Sequence, residues 1–312
     1  MSSVQISICI PCYKNESKLQ RLLESIALQS FTNYEIVLTD DSPDDRIFKL
    51  IQSKYADLAI RYYKNEKALG SPENWNIAIA KAKGDWIKIM HHDDYFTHKD
   101  SLKNFFNATS ANVDFVFCNY INVYEENNTQ RVFRFPKTKM KGLLKEPMIL
   151  NARNIIGNPS CTLIRATFKS TAYDKRFIWK VDLEYYISLL KKGARIAHLD
   201  QELICVGMSS GQITNSVKLN PAFELPESYF LLEKYGIACL DNVKVYDSYW
   251  RTFRNLKLYT LAGIKKYADY NWPPVIHRML LHLDKCNKKN LGNGFYSKFM
   301  MYWSYLKRPK NT

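Results

Sequence analysis

Gly84-Asp85-Trp86-Ile87-Lys88-Ile89-Met90-His91-His92-Asp93-Asp94-Tyr95 is the stretch on which the reading of this chain turns. Trp86, Ile87, Ile89 and Met90 make an apolar run of the length of a short buried strand. The run stops at two histidines and two adjacent carboxylates. In an open α/β sheet, ligands bind just beyond the carboxyl ends of the strands. An Asp-Asp pair there offers oxygen ligands to a hard divalent cation, and such a cation can hold a diphosphate. Taken alone, the pair is better explained as a solvated loop whose acids cap the next helix. Its surroundings reverse that reading.

Upstream, residues 4–10 alternate and are β-branched, a first strand that Pro11 ends. Cys12 to Glu16 form a loop, and Ser17 caps a helix with Leu19, Leu22, Leu23, Ile26 and Leu28 on its apolar face. Residues 34–39 form a second strand, also ending in paired acids, Asp40-Asp41. A helix through Ile47, Leu50, Ile51 and Tyr55 follows, then a strand at 60–63, a turn-rich loop at 65–72 and a helix over 73–82. This βαβαβαβ order predicts a doubly wound, mostly parallel sheet. Parallel strands then place both acid sets on one sheet edge. No glycine follows the first strand, so the G-x-G-x-x-G turn of a dinucleotide fold is absent.

From Asp114 the pattern changes. Residues 115–124 and 130–135 read as an antiparallel pair, followed by a short helix at 151–156, the turn Gly157-Asn158-Pro159-Ser160 and a strand at 161–165. A helix opens around Val181-Asp182-Leu183-Glu184 and ends at Gly193, and strands at 195–199 and 203–206 close this half. Beyond Gly211 the chain is mostly helical, with Tyr246, Tyr249, Trp250, Phe253 and Leu256 at helical spacing. The expected division is 1–210, changing character at 113/114, and 211–312 as a basic helical extension.

At 312 residues the chain is long enough to bury a full core, and its 46% hydrophobic content is that of a globular protein. The charge is +15, with 16 basic against 7 acidic residues in 211–312 and no acid after Asp284. Such a surface implies an anionic partner: phosphorylated substrate, anionic lipid or nucleic acid. No run of 18 apolar residues occurs. The first residues lack the pattern of a signal peptide, and seven cysteines have no disulfide-like spacing. A cytoplasmic, reduced protein is therefore expected. Cys9-Ile10-Pro11-Cys12 matches C-x-x-C, but Cys9 lies within a strand rather than at a helix start, so the pair reads as structural.

Four pieces together resemble a family 2 glycosyltransferase of the GT-A fold over residues 4–206. They are Ser7 to Glu16, Glu35 to Ser42, Gly84 to Asp94, and Val181-Asp182-Leu183-Glu184. The resemblance implies transfer of a sugar, with inversion, from a nucleoside diphosphate donor, usually a UDP-sugar, with Mg²⁺ or Mn²⁺ as cofactor. It implies that 1–210 is the catalytic domain, with 1–113 binding nucleotide and 114–210 the acceptor, that Pro11, Tyr13 and Glu16 line the nucleoside pocket and that Asp41 accepts the uracil N–H. Asp93 would lie near the ribose or donor sugar, and Asp94 would bind the cation. His92 is a further candidate ligand. Asp182 would be the general base, with Glu184 as the fallback, since Val181 stands where relatives carry a second acid. The alternative for Asp182 is a helix N-cap. Asn158 and Ser160 are candidates for the acceptor side. Asn74-Trp75-Asn76 replaces the usual Ala-Arg-Asn, leaving Lys67 or Arg165 to face phosphate.

The aromatic, basic tail, residues 295–308, has the pattern of an interfacial helix on an anionic membrane surface. Equally, it could be a helix packed on the core. On the first reading the acceptor would be a saccharide on a polyprenyl diphosphate, in bacterial O-antigen or capsule synthesis, at the inner face of the cell membrane. Two other readings are a non-enzymatic polyanion-binding scaffold and a sugar nucleotidyltransferase. Nucleic acid is not expected as a partner, because acids at two strand ends repel a phosphate backbone.

Overall fold

Strand β1 (Ile6–Cys12) is buried at every position, because both of its faces and both of its flanks are covered. The computed structural model describes residues 4–209 and 217–309. β2 (Tyr34–Asp40) and β4 (Trp86–Ile89) pair with β1 in parallel, and β3 (Ile60–Lys64) pairs in parallel with β2. The connections are helical: α1 (Glu16–Ala27), α2 (Arg46–Lys54) and α3 (Glu73–Lys81). Leu19, Leu22, Leu23 and Ile26 of α1 pack with Ile6, Ile8, Ile10, Ile36 and Leu38 in one core, as the 3.6-residue and two-residue periods require.

The sheet continues through β5 (Tyr95–Phe96) and, after helix α4 (Ser101–Asn107), through β6 (Phe115–Tyr124), β7 (Thr129–Phe133), β8 (Thr162–Arg165) and β9 (Ile196–Met208). Its order is β3-β2-β1-β4-β8-β6-β9-β5, with β7 on β6. β8 is antiparallel to both β4 and β6, while β9 runs parallel to β6. β9 takes one flank of β6 along its length, and β8 and β7 share the other. The sheet is thus mostly parallel, with the smaller antiparallel part expected.

Several elements differ from the sequence reading. Pro11 does not end β1; it pairs with Thr39 beyond the last β4 partner, Cys9, so its missing N–H leaves no gap in the ladder. Ser17 is not the cap of α1. The helix starts at Glu16 after Asn15, whose φ of 66° turns the chain through the left-handed region. The helix expected at 151–156 is instead a 3₁₀ segment, Pro147–Ala152. The two last strands are one, β9, whose register shifts opposite Cys118 and Asn119.

The chain divides into two compact units, 1–137 with 155–175 and 185–211, and 138–154 with 176–184 and 212–312. The sheet lies in the first. The second is helical: α5 (Met140–Lys145), the first turn of α6 (Val181–Lys191), α7 (Pro221–Tyr235), α8 (Val243–Asn255), α9 (Leu261–Lys265), α10 (Pro274–Lys285) and α11 (Gly294–Leu306). The expected boundary at 210/211 lies outside the described residues.

Candidate active site

The parallel strands β1, β2, β3 and β4 all end on one edge, and so do β6 and β9. The connections after them bring Tyr13, Asp41, Asp93 and Asp94 to that edge. Asp94 is 1% exposed. Its Oδ1 accepts the N–H of Gly207 at 3.0 Å and its Oδ2 accepts Asn158 Nδ2 at 2.7 Å. Burial, and then the charge of Asp93, push its carboxyl up to about 8.

Asp93 is half-buried and presents the more accessible carboxylate. Among the described residues, His91, Asp93 and Asp94 offer ligand atoms within 4.8 Å of one another. His91 Nδ1 lies 3.9 Å from Asp94 Oδ2, and its Nε2 is closed off from solvent without a hydrogen-bond partner. Burial pulls the imidazole down to about 4, so it is neutral near pH 7 and able to ligate. The histidine beside the acids is therefore His91, whereas the sequence pointed to His92. His92 turns to the backbone of Pro11 instead.

The turn carrying these groups is braced from below. Ser160 Oγ accepts the N–H of His91 at 2.9 Å, and Lys88 Nζ donates to the Ser160 carbonyl. Ser160 is fully buried, so it cannot contact an acceptor; it holds the His91 backbone. Asn158 likewise serves Asp94. Lys88, itself fully buried, lies 4.6 Å from the Phe105 ring centroid, and burial pulls its ammonium down to about 8. On the other side Arg21 donates to the Asp93 carbonyl at 2.8 Å and pairs with Glu125 at 2.9 Å. A Cβ on Gly207 would lie 2.4 Å from that same carbonyl, so β9 reaches Asp93 only with glycine there.

Asp41 is buried and accepts Asn65 Nδ2 at 2.7 Å and the N–H of Gly70 at 2.8 Å, which leaves lone pairs on both oxygens. Tyr13 is 49% exposed, with Lys14 Nζ 4.9 Å from its ring centroid. Glu16 pairs with Arg46 at 3.0 Å. The Trp75 ring is tilted against the His91 ring, with the centroids 4.7 Å apart. Arg165 pairs across from Trp86, at the opposite end of β4 from Asp93, and binds Asp114. It is on the wrong edge to face phosphate. Lys67 lies in the connection after β3, on the right one.

Asp182 belongs to the second unit, in the first turn of α6. It is the second helical residue, inside the helix rather than its N-cap. The residue is partly exposed, yet its Oδ1 is shut off from solvent and has no hydrogen-bond partner. Burial pushes its carboxyl up to about 7. Glu184 is fully buried, bound to Lys234 at 2.7 Å and to the Tyr235 hydroxyl, a structural pin rather than a spare base. Glu227 of α7 accepts the N–H groups of Ile178, Trp179 and Lys180 at 2.8, 3.0 and 2.7 Å and so fixes the approach to α6.

Cys9 and Cys12 are free and buried, and burial pushes both thiols up, away from nucleophilic character.

Residues 7–170, more than half of the chain, match the model described as glycosyl transferase family 2. The chain belongs to that family. It is 25% identical over 273 residues to an Escherichia coli protein, the UDP-Glc:alpha-D-GlcNAc-diphosphoundecaprenol beta-1,3-glucosyltransferase WfgD; the match covers 86% of this chain and 98% of WfgD. A Haemophilus influenzae uncharacterized glycosyltransferase is 30% identical over 91 residues, and there the match spans 29% of this chain and only 30% of the relative. The crystal structure of S. aureus TarS in complex with UDP-GlcNAc superposes with a TM-score of 0.57 at 14% identity, over 96% of this chain and 89% of that one. The glycosyltransferase thus has the GT-A fold.

Proposed function

We propose that this glycosyltransferase moves a sugar, with inversion, from a UDP-sugar to a hydroxyl of a saccharide carried on a polyprenyl diphosphate, in bacterial surface-polysaccharide synthesis. The observation that carries the reading is the similarity to WfgD across nearly that protein's whole length, joined to the His91, Asp93 and Asp94 cluster. The cluster fits a divalent cation, Mg²⁺ or Mn²⁺. Its donors are two aspartate carboxyls, of which Asp94 gives up its proton on binding a cation, and a neutral imidazole; one imidazole nitrogen is buried without a partner, and Asp93 opens to solvent. Such a cation would offset the charge that builds on a departing diphosphate.

The chain's own groups have separate tasks. Tyr13 presents an aromatic face to a base, and Asp41, held by Asn65 and Gly70, keeps lone pairs for an N–H of that base. Pro11 and Glu16 border the same connection. Asp93 is the accessible ligand of the cluster; Asp94, tied to Asn158 and Gly207, fixes its position. Asp182 is the base that takes the proton of the acceptor hydroxyl. A carboxylate of pKa about 7 is better matched to that task than an ordinary one. The test is to incubate the protein with UDP-glucose, UDP-N-acetylglucosamine and a polyprenyl-diphosphate-linked saccharide, with and without Mn²⁺, and to follow UDP release. Release that needs both acceptor and cation supports the reading; no release with any donor rejects it.

A further inference from the structure

Helix α11 carries its apolar residues on the wrong side for a helix of a protein core. Its buried positions are Ser297, Met301 and Ser304. The Ser297 hydroxyl accepts Trp250 Nε1 at 3.2 Å and Arg254 at 2.9 Å. That of Ser304 lies 2.7 Å from the Tyr246 hydroxyl and 2.8 Å from His282 Nδ1. Packing on α8 and α10 is thus made by small hydroxyls and one methionine. The bulky residues face out: Phe295 is 91% exposed, Phe299 67%, Trp303 49% and Leu306 73%, with Tyr302 beside them. At 3.6 residues per turn these five fall in an arc of about 100°, opposite the serines. A contiguous exposed apolar stripe of this kind marks an interaction surface.

The charges beside the stripe identify the partner. Lys298 and Lys307 flank it on either side; their ammonium groups lie 5.4 Å from the Tyr302 and 5.2 Å from the Trp303 ring centroids. Lys298 also pairs with Asp247 at 3.1 Å. From Lys285 to the end the sequence has seven basic residues and no acid. Aromatic and aliphatic side chains rimmed by lysine fit the boundary between acyl chains and anionic headgroups. A second copy of the same face would instead bring like charge onto like charge.

We infer that α11 is a docking surface for an anionic lipid bilayer: Phe295, Phe299, Trp303 and Leu306 enter the interface, and Lys298 and Lys307 meet the headgroups. The helix lies in the plane of the membrane and does not cross it; among the described residues no helix is long and apolar enough to span one. The inference deepens the proposal of a lipid-linked acceptor, but its test contains neither donor nor acceptor, so the two fail separately.

Full-length protein is floated with vesicles of phosphatidylcholine alone or mixed with phosphatidylglycerol, beside a Phe295→Ser/Phe299→Ser/Trp303→Ser variant and a Lys289→Glu/Lys307→Glu variant. All these side chains are exposed, and an unchanged Tm checks that the variants fold. The native chain should float with the mixed vesicles and not with the neutral ones. Each aromatic removed lowers partitioning by about tenfold, and the charge variant loses the preference for phosphatidylglycerol. Equal flotation of the native chain and the triple variant overturns the inference. So does a native chain that stays unbound, whether light scattering finds it monomeric or finds a dimer that the triple variant dissolves.

Discussion

Asp182 joins two properties that seldom occur together without a role: an oxygen shielded from water with no partner, and a carboxyl that burial holds near pH 7. A base works only when deprotonated, so kcat/KM should rise with pH through about 7 and level off above it. Asp182→Asn should cost about 100-fold or more in turnover and remove that limb. The same substitution should stabilise the fold. A carboxyl whose folded-state pKa lies above its unfolded value destabilises the native state increasingly as pH rises between the two. At pH 8, Asp182→Asn should therefore gain about 1–3 kcal/mol in denaturant titrations. Unchanged activity would remove Asp182 from the reaction. In the first unit, His91→Ala should raise the Mn²⁺ concentration needed for half-maximal activity by about tenfold or more, while His92→Ala should not. Which of two adjacent histidines meets the acids was not readable from order alone. The direction each takes is set after the ladder ends at Ile89, by the Ser160 hydroxyl on the His91 N–H.

At the level of elements, Gly207 is the tightest constraint found. Gly207→Ala places a methyl against the Asp93 carbonyl, so β9 or the acidic turn must shift. The expected effect is about 1–3 kcal/mol of stability with a larger fractional loss of transfer than of UDP binding. Equal losses would mean general unfolding. Glu227 is the corresponding point in the helical unit: Glu227→Ala strips three N–H groups before α6 of their acceptor and should cost about 3 kcal/mol. The short β-branched, apolar runs of β1 and β2 were legible because both faces of these strands are buried, and the helical spacing in α1 because that helix buries one. β5 was not, since two residues make no period. β9 was split in two because its register shift breaks the alternation that marks a strand. Lys88 and Gly207 act through close approach between residues far apart in sequence, and no local pattern reports that. The acids at the ends of β2 and β4 were legible as sharing one sheet edge, since parallel strands leave no other place for them.

Over the whole molecule, the family match carries sugar transfer and the sheet is that of the GT-A fold; an acceptor held at a bilayer is the proposal that the basic, aromatic α11 would serve. On the inference drawn for α11, the positive charge from Lys285 onward belongs to a surface that would meet anionic lipid. The measurement that tests sugar transfer most directly is mass spectrometry of a polyprenyl-diphosphate-linked saccharide incubated with the protein, Mn²⁺ and a panel of UDP-sugars. The expected result is an acceptor heavier by a single sugar residue, with one UDP released per transfer. Release of pyrophosphate in place of UDP, or an unaltered acceptor with every donor while the protein remains folded, would contradict it.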